Sequence, residues 1–277
     1  MRILVSMEDR FTDLARGFLQ TPPLWTRSQF GIEQFQVPEI DLSAIKPEAF
    51  ASGMRLGHKM ERVFLSLLRG QKTYKLIGQN ILVTQEKITL GEIDFLLRHV
   101  QEDRAVHVEL TYKFYLVDTD MSEPMYQLVG PNRKDMFFTK LDKLKEGQFS
   151  LPHSEEGTKA LETLGLHPAN LDQKVCFKAQ LFIPYKAERV RIRPLNTRCI
   201  VGTWMRMGDF ESTAFRQHKY YFPTKELWVV NPFDTESWIP YYDALLEINF
   251  RVLKHQSTLV WMKKTDGTFE KFFVVWW

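Results

Sequence analysis

Ala105-Val-His-Val-Glu-Leu-Thr-Tyr-Lys-Phe-Tyr-Leu-Val117 is the stretch on which the fold turns. Val106, Val108, Leu110, Tyr112, Phe114 and Leu116 alternate with His107, Glu109, Thr111, Lys113 and Tyr115. Successive side chains of a strand point to opposite faces, so this period of two predicts a long strand with one apolar and one polar face. Two more strands are expected just before it, over Tyr74–Thr84 and Ile88–Leu97, joined by the turn Gln85-Glu86-Lys87. A charged turn, Gln101-Glu102-Asp103-Arg104, leads from the second into the third.

Further outward the period changes. Met60, Phe64, Leu67 and Leu68 recur at helical spacing, which predicts a helix over Pro47–Arg69 stopped by Gly70. On the other side, Gly130-Pro131-Asn132 leads into a helix with Asn132 as its N-cap. Its apolar stripe is Phe137, Leu141 and Leu144, and Lys134, Lys140 and Lys143 carry charge around it. A polar loop over 147–173 holds a short helix near Glu156–Leu164, and Val175–Pro184 reads as another strand. The remainder reads as mainly β, with a hairpin turning at Asp266-Gly267. At the other end, Arg10–Leu19 forms a short helix that Thr21-Pro22-Pro23 stops, because proline has no N–H to give. Extended chain then runs through Asp41, anchored by Trp25, Phe30 and Phe35. The fold class is therefore α+β, a mixed sheet flanked by helices with a β-rich C-terminal extension. The division is an arm over 1–47, a core over 48–185 and the extension over 186–277.

Composition excludes several classes. Of 277 residues, 44% are hydrophobic and 26% charged, the balance of a soluble globular chain. No apolar run approaches the roughly 20 residues that span a bilayer, so no membrane role is expected. Glu8, Asp9 and Asp13 interrupt the first residues before an apolar leader region forms. Cys176 and Cys199 are the only cysteines, which leaves no disulfide framework or four-cysteine zinc site and fits small core residues in a reducing cytoplasm. The net charge of +3 says little, but 11 Lys or Arg against 3 Asp or Glu between Lys174 and Lys225 put +8 in that window and −5 elsewhere. Its densest part is Arg189, Arg191 and Arg193, which share one face if the segment is extended. Such a surface suits a polyanion, with Lys140 as a further contact; the alternative is a solvated face.

The chemistry converges on a few polar residues. Asp94 interrupts the apolar Gly91-Glu92-Ile93-Asp94-Phe95-Leu96-Leu97, and a hairpin could bring it beside Glu109. Two adjacent carboxylates repel and raise one another's pKa unless a cation sits between them. A hard divalent ion resolves that cost, and Mg²⁺ needs only one or two carboxylates beside water and phosphate oxygens. Lys113 leaves the same face as Glu109 and could orient water or offset charge in metal-assisted phosphodiester hydrolysis. The alternative is a Glu–Lys pair on a solvent-facing strand with an unrelated Asp. His107 shares that face, either supporting Glu109 or, more simply, as a surface histidine.

Helix, three antiparallel strands, helix, strand, with Asp94 on one strand and Glu109 and Lys113 on the next, resembles the PD-(D/E)XK nuclease superfamily, the restriction-endonuclease-like fold. Leu56-Gly57-His58-Lys59-Met60-Glu61, Gly91-Glu92-Ile93-Asp94-Phe95-Leu96, Glu109-Leu110-Thr111-Tyr112-Lys113-Phe114-Tyr115-Leu116 and Gly130-Pro131-Asn132 are similar to an uncharacterised bacterial family assigned to that superfamily, domain of unknown function 1853. The motifs lie between about residues 50 and 185. The resemblance implies a nuclease of DNA or RNA using Mg²⁺, with Mn²⁺ able to replace it. It makes Asp94 and Glu109 metal ligands, Lys113 the catalytic lysine, and Glu61 a further carboxylate beside the room left by Gly57. Ile93 stands where the superfamily has proline; Lys113 follows Glu109 by four positions, with Thr111 in the usual lysine place.

A catalytically inactive module binding nucleic acid or protein is the alternative on the same fold. Trp261, Trp276 and Trp277 could stack on bases or close an interface, including a homodimer's, with core packing the simpler role for Trp261. The seven histidines show no HxxxH or HExxH spacing, and no GxxxxGK[ST] or GxGxxG loop is present.

Overall fold

Alternation and helical periodicity account for most of the elements seen in the computed structural model, which describes residues 7–232 and 237–277. The first six residues of the leader reading lie outside them. In chain order the elements are α1 (Met7–Gln20), β1 (Ser28–Gln29), β2 (Ile32–Gln34), α2 (Leu56–Arg69), β3 (Tyr74–Gln85), β4 (Ile88–His99) and β5 (Ala105–Val117). Then follow α3 (Pro124–Gln127), β6 (Leu128–Val129), α4 (Phe137–Asp142) with a π turn over Lys143–Gln148, α5 (Glu155–Glu162) and β7 (Leu171–Pro184). The last are β8 (Ile200–Arg206), α6 (Met207–Phe210), β9 (Lys219–Tyr221), β10 (Ile239–Pro240), α7 (Tyr241–Leu253), β11 (Thr258–Lys263) and β12 (Phe269–Val275). The class is α+β, a mixed sheet flanked by helices. Among the described residues no helix is long and apolar enough to cross a membrane.

The chain divides into two units, Met1–Tyr112 with Thr139–Lys178, and Lys113–Phe138 with Ala179–Trp277. In the first, β3, β4 and β5 form an antiparallel meander. The apolar stripe of α2, including Met60, Val63, Phe64 and Leu67, is fully buried, and Phe64 meets Phe18 of α1 at 5.8 Å and Phe95 of β4 at 5.0 Å between ring centroids. Leu161 and Leu166, within and after α5, close around Val83, Ile93 and Leu96. The arm is tied to β7 by Leu24 N–H to Phe177 O at 2.8 Å and by the parallel pairing of β2 with β7. Trp25 and Phe35 are buried as anchors, and Phe30 lies edge-on to Trp25.

In the second unit the strand order is β10-β9-β11-β12-β8-β7, parallel at β12–β8 and β8–β7 and antiparallel elsewhere. Phe210, Tyr220, Tyr241, Ile248, Val260 and Phe272 form its core. The hairpin at Asp266-Gly267 is present, with Gly267 at φ 84° where a Cβ would be strained.

Three local readings are corrected. α2 begins at Leu56 rather than Pro47, because Gly53 turns the chain at φ 75° and Arg55 enters the helix extended. Asn132 caps no helix: Arg133 adopts φ 55°, α4 begins at Phe137, and the Asn132 side-chain oxygen instead accepts the Ser257 N–H at 2.9 Å. The stretch after β10, read as β, is the helix α7. Tyr241, Ala244 and Ile248 are its buried side, but apolar residues also fill its outward side and obscure the period. Cys176 and Cys199 are buried free thiols, and Trp261 packs in the core.

Candidate functional site

The first unit builds its polar centre where the β4–β5 ladder stops. Leu97 pairs with Val106, Leu96 with His107 and Phe95 with Val108, so the next residues in register are Asp94 and Glu109. There the side chains replace the backbone ladder. The Asp94 N–H donates to Glu109 Oε1 at 3.4 Å, and the Leu110 N–H donates to Asp94 Oδ2 at 2.9 Å. On the other side of β4, the β3 pairing runs from Gln79↔Phe95 to Ile81↔Ile93 and skips Asn80, which would face Asp94. Asn80 adopts φ 49°, a left-handed conformation that asparagine tolerates better than most residues. The sheet is thus opened around Asp94 on both sides, while Ile93 and Phe95 remain packed in the core.

Glu109 is completely buried, and both its oxygens are taken. His107 Nε2 meets Oε1 at 2.8 Å, and Gln148, at the end of the π turn, donates to Oε2. Gln173 Nε2 donates to Phe149 O at 2.9 Å and to His107 Nδ1 at 3.1 Å. Because Nδ1 accepts, the Nε2 nitrogen carries the proton and donates it to Glu109, so Gln173 selects the tautomer. Lys140 of α4 donates to Gln148 Oε1 at 2.8 Å. A continuous line runs Lys140–Gln148–Glu109–His107–Gln173. His107 is fully buried within it, which overturns its reading as a surface histidine.

Burial, and next the Glu109 charge, push the Asp94 carboxyl up to about 8; the Leu110 N–H opposes this, Glu61 adds to it, and Lys140 lowers it. Glu92 is also raised, first by burial and then by Glu61, against a hydrogen bond from Asn80. Glu61 on α2 is partly exposed and meets His58 Nδ1 at 3.2 Å. Nothing lies within 4 Å of where a Cβ on Gly57 would be. Asp94, Glu109, Glu61 and Glu92 therefore act on one another electrostatically, with Lys140 as the opposing cation on Asp94. Among the described residues, however, no three His, Cys, Asp or Glu side chains are gathered as a ready-made metal cage. Two surface clefts of about 440 and 520 Å³ are lined by other residues, with neither Asp94 nor Glu109 among them.

Lys113 is placed differently from expectation. Its ammonium is 2.5 Å from Asp135 Oδ2 in the second unit, and Lys140 is the lysine that acts on Asp94. Thr111 is buried, and its hydroxyl has no hydrogen-bond partner among the described residues. Arg189, Arg191 and Arg193 are all exposed, alternating with half-buried Val190 and buried Ile192, in irregular chain rather than a strand. The terminal tryptophans turn inward on their own unit: Trp277 donates to Pro131 O at 3.0 Å and lies under Arg133 at 3.8 Å, while Trp276 lies tilted against the His255 ring.

Asn80, Glu92, Gln148 and Gln173 join the site without a sequence signal of their own. Isolated amides carry no periodicity; only the raised polarity of Glu92-Ile93-Asp94 could flag one of the four.

Comparison with curated proteins and with solved structures finds no match. A match to a described family covers residues 34–273, nearly the whole chain, from the last residue of β2 into β12. The chain belongs to the family described as a domain of unknown function, DUF1853.

Proposed function

We propose that the Asp94–Glu109 pair is the centre of a divalent-metal-dependent phosphodiesterase acting on DNA or RNA. The observation that carries this reading is the opened ladder: two neighbouring carboxylates, one fully buried, with Asp94 held up to about 8 by burial and by its partner. The donor set is hard oxygen, which suits Mg²⁺ or Mn²⁺ and disfavours softer ions. Asp94 and Glu109 would hold the ion, with Glu61 as a further oxygen donor. When bound, such an ion neutralises phosphate charge and makes water a better nucleophile near neutral pH.

The chain's own residues divide the remaining work. His107, held by Gln173, keeps Glu109 oriented by donating to it. Gln148 bridges Glu109 to Lys140, so the lysine's position is tied to the carboxylate's. Lys140 therefore replaces Lys113 as the cation expected to offset charge developing at a scissile phosphate. Arg189, Arg191 and Arg193 offer phosphate-backbone contacts of a kind that carries no sequence preference. The resemblance to the PD-(D/E)XK superfamily supports the substrate class.

A second reading has its own support. Both oxygens of Glu109 already have hydrogen-bond partners, and Lys113 is committed to Asp135. A module that binds nucleic acid without cleaving it fits those two facts. Incubating wild type, Asp94→Ala and Glu109→Ala with single- and double-stranded DNA and RNA in Mg²⁺ or Mn²⁺ separates the readings. Cleavage by wild type and not by the variants supports the enzyme. Binding by all three proteins with no cleavage by any supports the module.

A further inference from the structure

The outward side of α7, within the second unit, carries apolar side chains that a surface helix ordinarily hides. Tyr242 is 68% exposed, Leu246 68%, Phe250 54% and Leu253 74%. At 100° per residue, Tyr242, Leu253, Leu246 and Phe250 fall within one arc of about 80°, forming a stripe about 16 Å long. Tyr241, Ala244 and Ile248 are buried on the opposite side, with Leu245 and Val252 half-buried between the two. The helix is thus apolar around most of its circumference, the pattern of a helix enclosed on both sides.

The remaining polar arc identifies the occupant. Asp243 and Lys254, both exposed, border one flank of the stripe, acidic in the first turn of the helix and basic at its end. Glu247 and Arg251 already meet within the helix at 2.6 Å, and Lys254 lies 3.8 Å over the Phe250 ring. In an antiparallel pair of helices, the same flank of each faces its counterpart in reverse order. Asp243 of one copy then lies opposite Lys254 of the other, while Glu247 and Arg251, further round the helix, stay paired within their own chain. In a parallel pair the charged flank would instead face the other flank of its partner, where Leu245, Asn249 and Val252 offer it no charge. The flank is therefore complementary to itself under a two-fold axis, the symmetry of most homodimers.

We infer that α7 is the contact helix of a symmetric, antiparallel homodimer. One helix from each copy gives an interface at the small end of the stable range, so the dissociation constant should be roughly micromolar. Sedimentation velocity on the full chain from about 1 to 200 µM reads the state directly. Wild type should move from monomer to dimer across the series. Leu246→Glu and Leu253→Glu, both at exposed positions outside the core, should each raise the dissociation constant roughly 100-fold, since each buries two unpaired charges per dimer.

Asp243→Lys alone and Lys254→Asp alone should each weaken the dimer about 10-fold by opposing like charges. The double variant should return to within about threefold of wild type, because the reversed pair is again complementary. A wild type that stays monomeric to the top of the series overturns the proposal and leaves a different protein as the occupant. So does a dimer indifferent to Leu246→Glu, or charge variants whose combination fails to restore what each alone removes.

Discussion

Replacing Asp94 by Asn should change how stability responds to pH, and the sign is fixed by the geometry. The Asp94 carboxyl rises from 3.8 in the unfolded chain to about 8 in the folded protein, through burial and then the Glu109 charge. Between those values the folded protein keeps a proton that the unfolded chain has lost. This group's contribution is therefore fully present below about pH 4 and is lost as pH rises through about 8. A gap of about 4 pH units at 1.36 kcal/mol each sets a ceiling of about 5 kcal/mol. Asp94 is only partly buried by solvent accessibility, so water and side-chain relaxation bring the measurable effect to about 2 kcal/mol. In Asp94→Asn the new amide keeps an oxygen for the Leu110 N–H and offers its NH₂ to Glu109, so the variant should fold. Urea unfolding at pH 5 and pH 8.5 should give nearly equal stabilities for the two proteins at the lower pH. At the higher pH the variant should be ahead by about 2 kcal/mol, or roughly 5 °C in Tm. Parallel pH profiles for wild type and Asp94→Asn would refute the claim that this pair is electrostatically frustrated.

Further outcomes follow from the same network. Lys140→Ala should lower turnover at least 100-fold with little change in nucleic-acid affinity, whereas Lys113→Ala should cost about 1 kcal/mol of stability and less than threefold in turnover; kinetics and thermal unfolding on both variants check the assignment. Replacing Arg189, Arg191 and Arg193 together by Ala should weaken binding to all sequences alike and reduce the salt slope by about 2 to 3, measured by filter binding across a salt series. Lys271 behaves opposite to Asp94: burial lowers its pKa to about 7 although it donates to Gln180 and to Trp228 O, so the folded protein lacks a proton that the unfolded chain holds up to about 10.5. Its contribution to stability should rise between pH 7 and 10, and Lys271→Met should abolish that rise in urea titrations.

The fold was most legible where a single period ran uninterrupted. β5 spans its thirteen expected residues end to end, although both of its faces are largely buried, and β3 and β4 extend past their expected ends by one and two residues. Position in register then brought Asp94 beside Glu109, because the short turn between β4 and β5 leaves little freedom in their pairing. The errors arose where local signals competed with tertiary ones. Asn132 looks like a cap, but its side chain serves Ser257, more than a hundred residues away. α7 concealed its helical period because its outward side is apolar too. Lys113 had a plausible reach from sequence, yet Asp135 claims it, a pairing that no local pattern announces. Gln148 and Gln173 escaped notice for the same reason: their roles come from a π turn and a distant strand converging on one carboxylate.

The most direct test of the proposed centre is isothermal titration of Mg²⁺ and Mn²⁺ into wild type, Asp94→Ala and Glu109→Ala at pH 7.5, with circular dichroism confirming that each variant is folded. The account predicts saturable binding near one ion per chain for wild type, lost or weakened at least 10-fold in both variants. Absence of binding to wild type, or equal affinity across all three proteins, would contradict it.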